Sequence, residues 1–208
     1  MIWLLYEPFN IVFMLLCLLT NPIVVLFANE EGELPGIFRY WQTWDDSLNP
    51  RFYIMEHVPK ALKYDYDKHY EEYWGTSKYL AKLNCKRCFA RVKDPHFSLK
   101  ERVQRYICRV MWLYRNCSYG FAFYTLGRMC DGSKFKKKIY KDYPGGLYSR
   151  FIYDDTKSIL TRPWSFKCTK KICSWLRWEI FIGWKAQAND TGKSQKMIAH
   201  RIAFRFLK

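Results

Sequence analysis

Positive charge is missing from the beginning of the chain. No lysine or arginine occurs before Arg39, and Glu7 is the only charged side chain among the first 28 residues. A secretory signal peptide has positive charge before its apolar core and small residues at its cleavage site. The nearest small residue is Ala28, and Leu26 stands two positions before it. These absences argue against a cleaved signal peptide.

The sequence also lacks the short motifs of common catalytic sites. It contains no P-loop, no GxGxxG and no GxSxG, and its four histidines form no local pairing with serine or cysteine. One CxxC occurs, Cys85-Lys-Arg-Cys88, but a zinc site needs two further ligands of matching geometry. We therefore predict no cofactor, no metal and no catalytic residue. The eight cysteines are scattered, which favours reduced thiols in a cytosolic body.

A long apolar segment opens the chain. Residues 9–28 supply 20 residues, and about 20 residues cross roughly 30 Å of hydrocarbon at about 1.5 Å per residue. Four residues weaken the case for a membrane-spanning helix: Asn10, Thr20, Asn21 and Pro22. Proline lacks an amide hydrogen, so Pro22 is expected to kink or split the helix. Three interpretations remain open, namely a spanning helix, an in-plane segment or hairpin turning at residues 20–22, and a buried core helix.

Charge divides the sequence into three parts. Lysine and arginine outnumber aspartate and glutamate by 35 to 19, a net charge of +16. Residues 29–72 have a net charge of −5, whereas residues 73–208 have a net charge of +22. We predict a hydrophobic membrane segment over 1–28, an acidic aromatic collar over 29–76 and a basic domain over 77–208. Because positive residues follow the apolar segment, the positive-inside rule predicts a cytoplasmic body.

The body is predicted to be α+β, with two helices first and an antiparallel β-meander after them. Ser98 and Glu101 form a capping box before an apolar stripe that predicts a helix over residues 99–115. An earlier helix is predicted over about 77–91. Alternating residues in LRWEIFIGWK and KMIAHRIAFRF predict a hairpin, and other strand candidates are GFAFYTL, GLYSRFIYD and RPWSFKC.

Two basic clusters are the candidate contacts for anionic lipid or another polyanion. The first is a ridge on the predicted helix, formed by Arg102, Arg105 and Arg109. The second belongs to the stretch KFKKKIYKDY and contains Lys134, Lys136, Lys137 and Lys138. Lysine beside aromatic rings is also typical of single-stranded nucleic-acid sites, in which Tyr140 or Phe135 would stack on bases. Ordinary solvated side chains are the competing interpretation of both clusters.

A polar alternation occurs in YDYDKHYEEY, residues 64–73. In an extended segment Asp65, Asp67, His69 and Glu71 would share one face. Such a face is a metal-site hypothesis, and a solvated face opposite the tyrosines is its alternative.

Four phrases occur in order along the chain: TNPIVVLFANEEGELP, WQTWDDSLNP, WLYRNCSYGF and IFIGWKAQ. In this the chain resembles a family of small uncharacterised proteins of tailed bacteriophages. In that family a proline often stands where this sequence has Cys117. The resemblance implies a bacterial host and an apolar amino end, and it implies no reaction.

The sequence therefore predicts a phage-encoded protein of the host inner membrane with a basic cytoplasmic body. We expect it to bind anionic lipids, and a host or phage protein as a further partner, without catalysis. The alternative is a membrane-tethered protein that binds nucleic acid.

Overall fold

The computed structural model describes residues 2–43, 46–75, 87–142, 147–174, 176–185 and 193–206. The α-helices along these residues are α1 (Ile2–Val24), α2 (Arg51–His57), α3 (Tyr66–His69), α4 (Leu99–Arg115) and α5 (Tyr119–Tyr124). The strands are β1 (Tyr70–Gly75), β2 (Arg87–Val92), β3 (Arg128–Asp131), β4 (Phe135–Asp142), β5 (Leu147–Asp154), β6 (Trp164–Cys173), β7 (Leu176–Lys185) and β8 (Lys193–Phe206). The predicted α+β class, with an apolar helix before a domain of helices and antiparallel sheets, is confirmed.

The chain divides into two compact units. The sheet unit comprises residues 1–10 and 125–208, and the helical unit comprises residues 11–124. Helix α1 therefore begins in the sheet unit and ends in the helical unit. These boundaries differ from the changes in composition at residues 28 and 76.

Helix α4 lies at the centre of the helical unit. Its predicted bounds and capping box are confirmed, because Ser98 Oγ accepts the Glu101 amide at 3.3 Å and the Glu101 carboxylate accepts the Ser98 amide at 2.8 Å. The buried face of the helix contains Cys108, Trp112 and Leu113, together with Gln104 and Arg109. The predicted apolar stripe is wrong as a guide to this face, because Leu99 and Val103 of that stripe are 80% and 50% exposed.

A two-stranded antiparallel sheet precedes α4 in the helical unit. Strand β2 pairs with β1 from Tyr70 opposite Val92 to Gly75 opposite Arg87. The helix predicted over 77–91 is therefore wrong for residues 87–91, since pairing with β1 outweighs the helical pattern. Residues 76–86, including Cys85 of the CxxC, lie outside the described residues.

Helix α5 occupies the segment that was predicted as the strand GFAFYTL. It packs so closely on the backbone that a Cβ added to Gly120 would lie 2.2 Å from the Gln42 carbonyl oxygen and 2.6 Å from that of Arg39. A short apolar run does not distinguish a strand from a helix by periodicity alone. Close approach to residues 39–42 favours the helix.

The sheet unit contains a six-stranded antiparallel sheet in the order β3-β8-β7-β6-β5-β4. The predicted hairpin of β7 and β8 is confirmed, with pairing from Leu176 opposite Phe206 to Lys185 opposite Met197. GLYSRFIYD contains all of β5, and RPWSFKC contains the first half of β6, as predicted. Strands β3 and β4 are the two edges of the sheet.

The register gives the sheet two different faces. Lys138, Phe151, Phe166 and Ile182 are consecutive partners across β4, β5, β6 and β7, so their side chains share one face. We call this the ring face, and its members in the outer three strands include Lys136, Lys138, Tyr140, Phe151, Tyr153, Trp164, Phe166 and Lys170. The first turns of α1 pack on the inner part of this face, where they contact Trp164, Trp184 and His200. The opposite face includes four buried side chains: Phe135, Ile152, Ser165 and Glu179.

Candidate functional site

Helix α1 directs a narrow and partly polar stripe toward the protein. The buried residues of this stripe recur at intervals of three, four or seven: Trp3, Glu7, Asn10, Cys17, Asn21 and Val24. Such intervals place them on one side of a helix. The stripe therefore contains Glu7, Asn10 and Asn21, which are among the polar residues that interrupt the apolar segment in the sequence.

The helix continues through Pro22 to Val24. A split helix or a hairpin turning at residues 20–22 is therefore wrong. Proline has no N–H to donate to the carbonyl four residues before it, which belongs to Leu18. The Tyr114 hydroxyl donates to that Leu18 oxygen at 3.1 Å, and the Tyr106 hydroxyl donates to the Pro22 oxygen at 2.9 Å. Two tyrosines of α4 thus supply donors at the point where the helix has lost one.

Further contacts attach α1 within the helical unit. The Trp41 indole N–H donates to Thr20 Oγ1 at 2.8 Å, and the Asn21 amide donates to Cys117 Sγ at 3.6 Å. The Phe13 ring stacks on Phe121 with a centroid separation of 4.3 Å. Partners of α1 thus come from the phrases WQTWDDSLNP and WLYRNCSYGF.

The first turns of α1 pack within the sheet unit. Trp3 and Trp164 have ring centroids 5.7 Å apart, and the Ile2 amide donates to the Leu160 oxygen at 3.2 Å. The Glu7 carboxylate forms an ion pair with Nδ1 of His200 on β8. This carboxylate raises the pKa of the His200 ring above its ordinary value. The one charged residue of the apolar segment is thereby paired inside the protein.

The opposite side of α1 is apolar and faces away from the protein. Twelve large apolar side chains between residues 4 and 27 are 40–79% exposed: Leu4, Leu5, Phe9, Ile11, Val12, Leu15, Leu16, Leu18, Leu19, Ile23, Leu26 and Phe27. We call these twelve residues the outer face. Soluble monomers rarely expose contiguous apolar patches of this kind unless a partner or membrane covers them. Helix α1 is thus amphipathic, but in contrast to a usual surface helix its polar residues face the protein and its apolar residues face outward.

By length and composition, Ile2–Phe27 is the one helix among the described residues that is able to cross a membrane. A core helix or a signal sequence meets the same criterion.

The three arginines of the predicted ridge occupy different environments. Arg109 is only 5% exposed and donates to Asn49 Oδ1 at 2.8 Å and to the Glu30 oxygen at 2.7 Å. Burial lowers the pKa of its guanidinium. Arg105 is half-buried, lies 4.0 Å above the Phe97 ring and donates to the Tyr70 hydroxyl at 3.1 Å. The ridge is therefore not one continuous surface feature.

Arg102 is the exposed member of the three. Its Nε donates to the Phe97 carbonyl oxygen at 3.2 Å, which leaves the other guanidinium nitrogens at the surface. Arg102 is therefore the ridge residue whose placement suits contact with an external anion.

The predicted lysines lie on and just before the edge strand β4. Lys134 is exposed in the turn before the strand. Lys136 pairs with Asp155, and the Lys138 ammonium lies 5.6 Å from the centre of the Tyr153 ring. Lys137 is exposed on the face opposite to Lys136 and Lys138. The cluster is thus divided between the two faces of one strand.

The metal-site hypothesis for residues 65–71 is contradicted among the described residues, which contain no group of three or more potential ligands. Asp65 instead accepts the Lys68 amide at 3.1 Å, and Asp67 accepts two hydrogen bonds from Arg51. The segment is not extended there, because α3 spans Tyr66–His69.

His69 has a structural role in the core of the helical unit. Its side chain is fully buried, with Nε2 3.1 Å from Glu101 Oε1 and Nδ1 2.9 Å from the Asp94 oxygen. Hydrogen bonds from His69 and then Ser98 lower the pKa of Glu101 to about 2. The pair therefore connects α3 to the first turn of α4.

Sequence reasoning missed the partners that hold α1. Tyr106 and Tyr114 lie eight residues apart on α4, a spacing that places both on one side of the helix and was visible in the sequence. His200 is two residues from both Ile198 and Ile202, so the sequence predicts that the three share one face of the strand. Its pairing with Glu7 spans almost the whole chain and left no local signal.

These features define an α+β protein with an apolar helix that is anchored by polar contacts and directs its apolar side outward. The chain belongs to the Family of unknown function (DUF7338), which it matches over residues 1–207. No curated protein and no solved structure matches the chain.

Proposed function

We propose that this protein associates with a membrane surface through the outer face of α1, which lies in the plane of the interface. The single observation that carries the proposal is the inversion of this helix. Its buried stripe contains Glu7, Asn10 and Asn21, whereas its exposed side consists of large apolar residues. A bilayer is a solvent that favours this arrangement, because apolar side chains gain free energy on leaving water.

Lipid is a better match to the outer face than a protein partner is. Protein interfaces surround an apolar centre with a polar rim. Every exposed side chain between residues 4 and 27 is apolar, so this side of α1 has no polar residue of its own along its length. Burying one leucine-sized side chain contributes about 1.5–3 kcal/mol when it is fully exposed beforehand. Twelve partly exposed side chains together exceed the roughly 8 kcal/mol of micromolar binding.

An in-plane position is supported by the contacts that hold α1 within the helical unit. Trp41 donates to Thr20, and Tyr114 donates to the Leu18 oxygen. A helix that crosses hydrocarbon would carry these partners and their elements into the bilayer, where each unsatisfied polar group is costly. In the interface the same elements stay on the aqueous side.

Charge supports an anionic membrane as the target. Residues 1–10 and 125–208 contain 19 lysines and arginines against 7 aspartates and glutamates, a net charge of +12 out of +16. A lysine or arginine near an anionic leaflet contributes about 1 kcal/mol. With the resemblance to phage proteins, this favours the cytoplasmic side of a host inner membrane and a binding role without catalysis.

The test uses the most exposed line of the outer face. Leu5, Val12, Leu19 and Leu26 recur every seven residues and are 68–79% exposed. Replacing all four with glutamine leaves the buried stripe intact, and we expect at least a 100-fold loss of partitioning to vesicles containing phosphatidylglycerol. The control replaces four exposed apolar residues outside α1 with glutamine: Leu99, Val103, Ile159 and Leu160. Equal partitioning of the two variants would contradict the proposal.

A protease-protection experiment distinguishes an in-plane from a spanning helix. An amino-terminal epitope and the body lie on the same side of the membrane if α1 is in-plane, and on opposite sides if it spans. In inside-out inner-membrane vesicles we expect protease to remove the epitope and to digest the body. An epitope protected beside a digested body would establish the spanning arrangement instead.

A further inference from the structure

We propose that the β4–β5 part of the ring face, where Lys136, Lys138 and Tyr140 are exposed, binds single-stranded nucleic acid. The observation behind this is the placement of lysines and aromatic rings on the same face of neighbouring strands. Single-stranded sites combine rings on which bases stack with cations that contact phosphates.

The register arranges the ring face in rows across the strands. One row contains Lys138, Phe151 and Phe166, and the next contains Tyr140, Ser149 and Cys168. A third row contains Lys136, Tyr153 and Trp164, and Trp3 of α1 packs on Trp164. Consecutive rows are about 6.6 Å apart along the strand, and adjacent strands are about 4.8 Å apart. Cationic and aromatic side chains therefore alternate over a surface wide enough for several nucleotides.

The rings of this face are accessible and are bordered by positive charge. Tyr140 is 55% exposed, and Phe151, Tyr153 and Phe166 are half-buried. The Lys138 ammonium and the Arg162 guanidinium each lie 5.6 Å from the centre of the Tyr153 ring. Because cations already lie over the Tyr153 ring, Tyr140 is the ring that is more available to a stacked base, and Lys138 is the cation beside it on the same strand face.

The opposite face offers no comparable platform. Phe135, which the sequence also presents as a stacking candidate, is buried there beside Ile152 and Ser165. Lys167 on that face pairs with Glu179 at 3.2 Å. The structure thus separates Tyr140, which is available for stacking, from Phe135, which belongs to the core of the sheet unit.

The positive charge of the sheet unit favours a polyanion as the ligand of the ring face. The aromatic rings favour a polyanion that carries bases. The sheet unit holds most of the net charge of the chain. A duplex conceals the faces of its bases, so rings on a sheet favour a single strand. An anionic bilayer also offers phosphates, and tyrosine rings settle at its headgroup level, so vesicle binding is a separate outcome of the test.

Neighbouring lysines on β4 supply a matched pair for the test. Lys138 lies on the ring face and Lys137 on the opposite face, both are exposed, and each substitution by glutamate changes the charge equally. The full chain is placed in detergent micelles, and binding of fluorescein-labelled (dT)15 is followed by anisotropy. We expect Lys138→Glu to weaken binding by about tenfold and Lys137→Glu by less than about threefold. Equal losses would mean diffuse attraction and would overturn the proposal.

A second pair tests stacking rather than charge. Tyr140→Ala removes an exposed ring from the ring face, whereas Ile139→Ala removes an exposed apolar side chain from the other. We expect about a tenfold loss for Tyr140→Ala at every salt concentration and no loss for Ile139→Ala. Unchanged binding by Tyr140→Ala, or tighter binding of a 15-base-pair duplex, would overturn the proposal. So would Lys138-dependent binding to phosphatidylglycerol vesicles without binding to (dT)15.

Discussion

The Tyr114 hydroxyl lies 3.1 Å from the Leu18 carbonyl oxygen and donates to it. This oxygen would accept the amide of residue 22 in an uninterrupted helix, and residue 22 is a proline. A side chain of α4 therefore replaces a backbone donor of α1. The replacement lets an apolar helix contain a proline and remain continuous.

A double-mutant cycle tests this replacement. Tyr114→Phe should lower the free energy of unfolding by about 0.5–1.5 kcal/mol, because the Leu18 oxygen loses its donor. In a Pro22→Ala background the helix regains its own N–H, so the cost of Tyr114→Phe should fall by at least half. Urea unfolding of the four proteins gives the coupling. Equal costs in the two backgrounds would show that the tyrosine and the proline are independent.

Gly120 allows α5 to approach the backbone of residues 39–42. A methyl group there would overlap the Gln42 oxygen, so Gly120→Ala should destabilise the protein by about 1–3 kcal/mol or more. Gly36 has a φ of 51° with nothing within 4 Å of a Cβ, so Gly36→Ala carries only a backbone cost of about 1–2 kcal/mol. Thermal unfolding compares them. A smaller loss for Gly120→Ala than for Gly36→Ala would contradict the close approach.

Arg109 and Arg102 should respond differently to the same substitution. Arg109→Met leaves Asn49 Oδ1 without its Arg109 donor, whereas the Glu30 oxygen keeps hydrogen bonds from Tyr70 and Asn49, so we expect a cost of about 1–3 kcal/mol. Arg102→Met changes a surface residue and should stay within about 0.5 kcal/mol. Urea unfolding measures both. If the two variants were equally stable and only Arg109→Met lost vesicle binding, Arg109 would belong to the surface ridge that the sequence predicts.

The ion pair of Glu7 and His200 makes the stability of the fold depend on pH. Because the pKa of His200 is raised in the folded state above 6.5, its contribution is complete below pH 6.5 and is lost as pH rises through the folded pKa. The advantage of the wild type over Glu7→Gln should therefore be larger at pH 6 than at pH 8.5. Urea unfolding at the two pH values provides the comparison, with His200→Gln as the control. An advantage independent of pH would exclude protonation of the ring.

Local signals determined the parts of the fold that were predictable. The capping box at Ser98 and the alternation in β7 and β8 each specify an element without reference to the rest of the chain. The predictions for residues 87–91 and 119–124 were wrong. Pairing with β1 makes the first segment a strand, and packing on residues 39–42 makes the second a helix. These contacts come from elsewhere in the sequence and outweigh propensity.

The candidate surfaces show the same division. The apolar character of residues 9–28 was visible in the sequence. The contacts of α1 with partners such as Tyr114 and His200 were not, because these residues lie far away in the chain. The lysines of β4 were visible as a cluster. Their separation onto two faces required the strand register, which sets Lys138 opposite Phe151 and Lys137 opposite Ile152.

The pairing of Glu7 with His200 has a consequence for synthesis of the protein. The ribosome makes His200 about 190 residues after Glu7. At about 5–20 residues per second, that interval is roughly 10–40 s. Throughout it the first turns of α1 have no strand β8 to pack against. If α1 associates with a membrane as proposed, contact with lipid during translation would keep this apolar helix out of water until β8 is made.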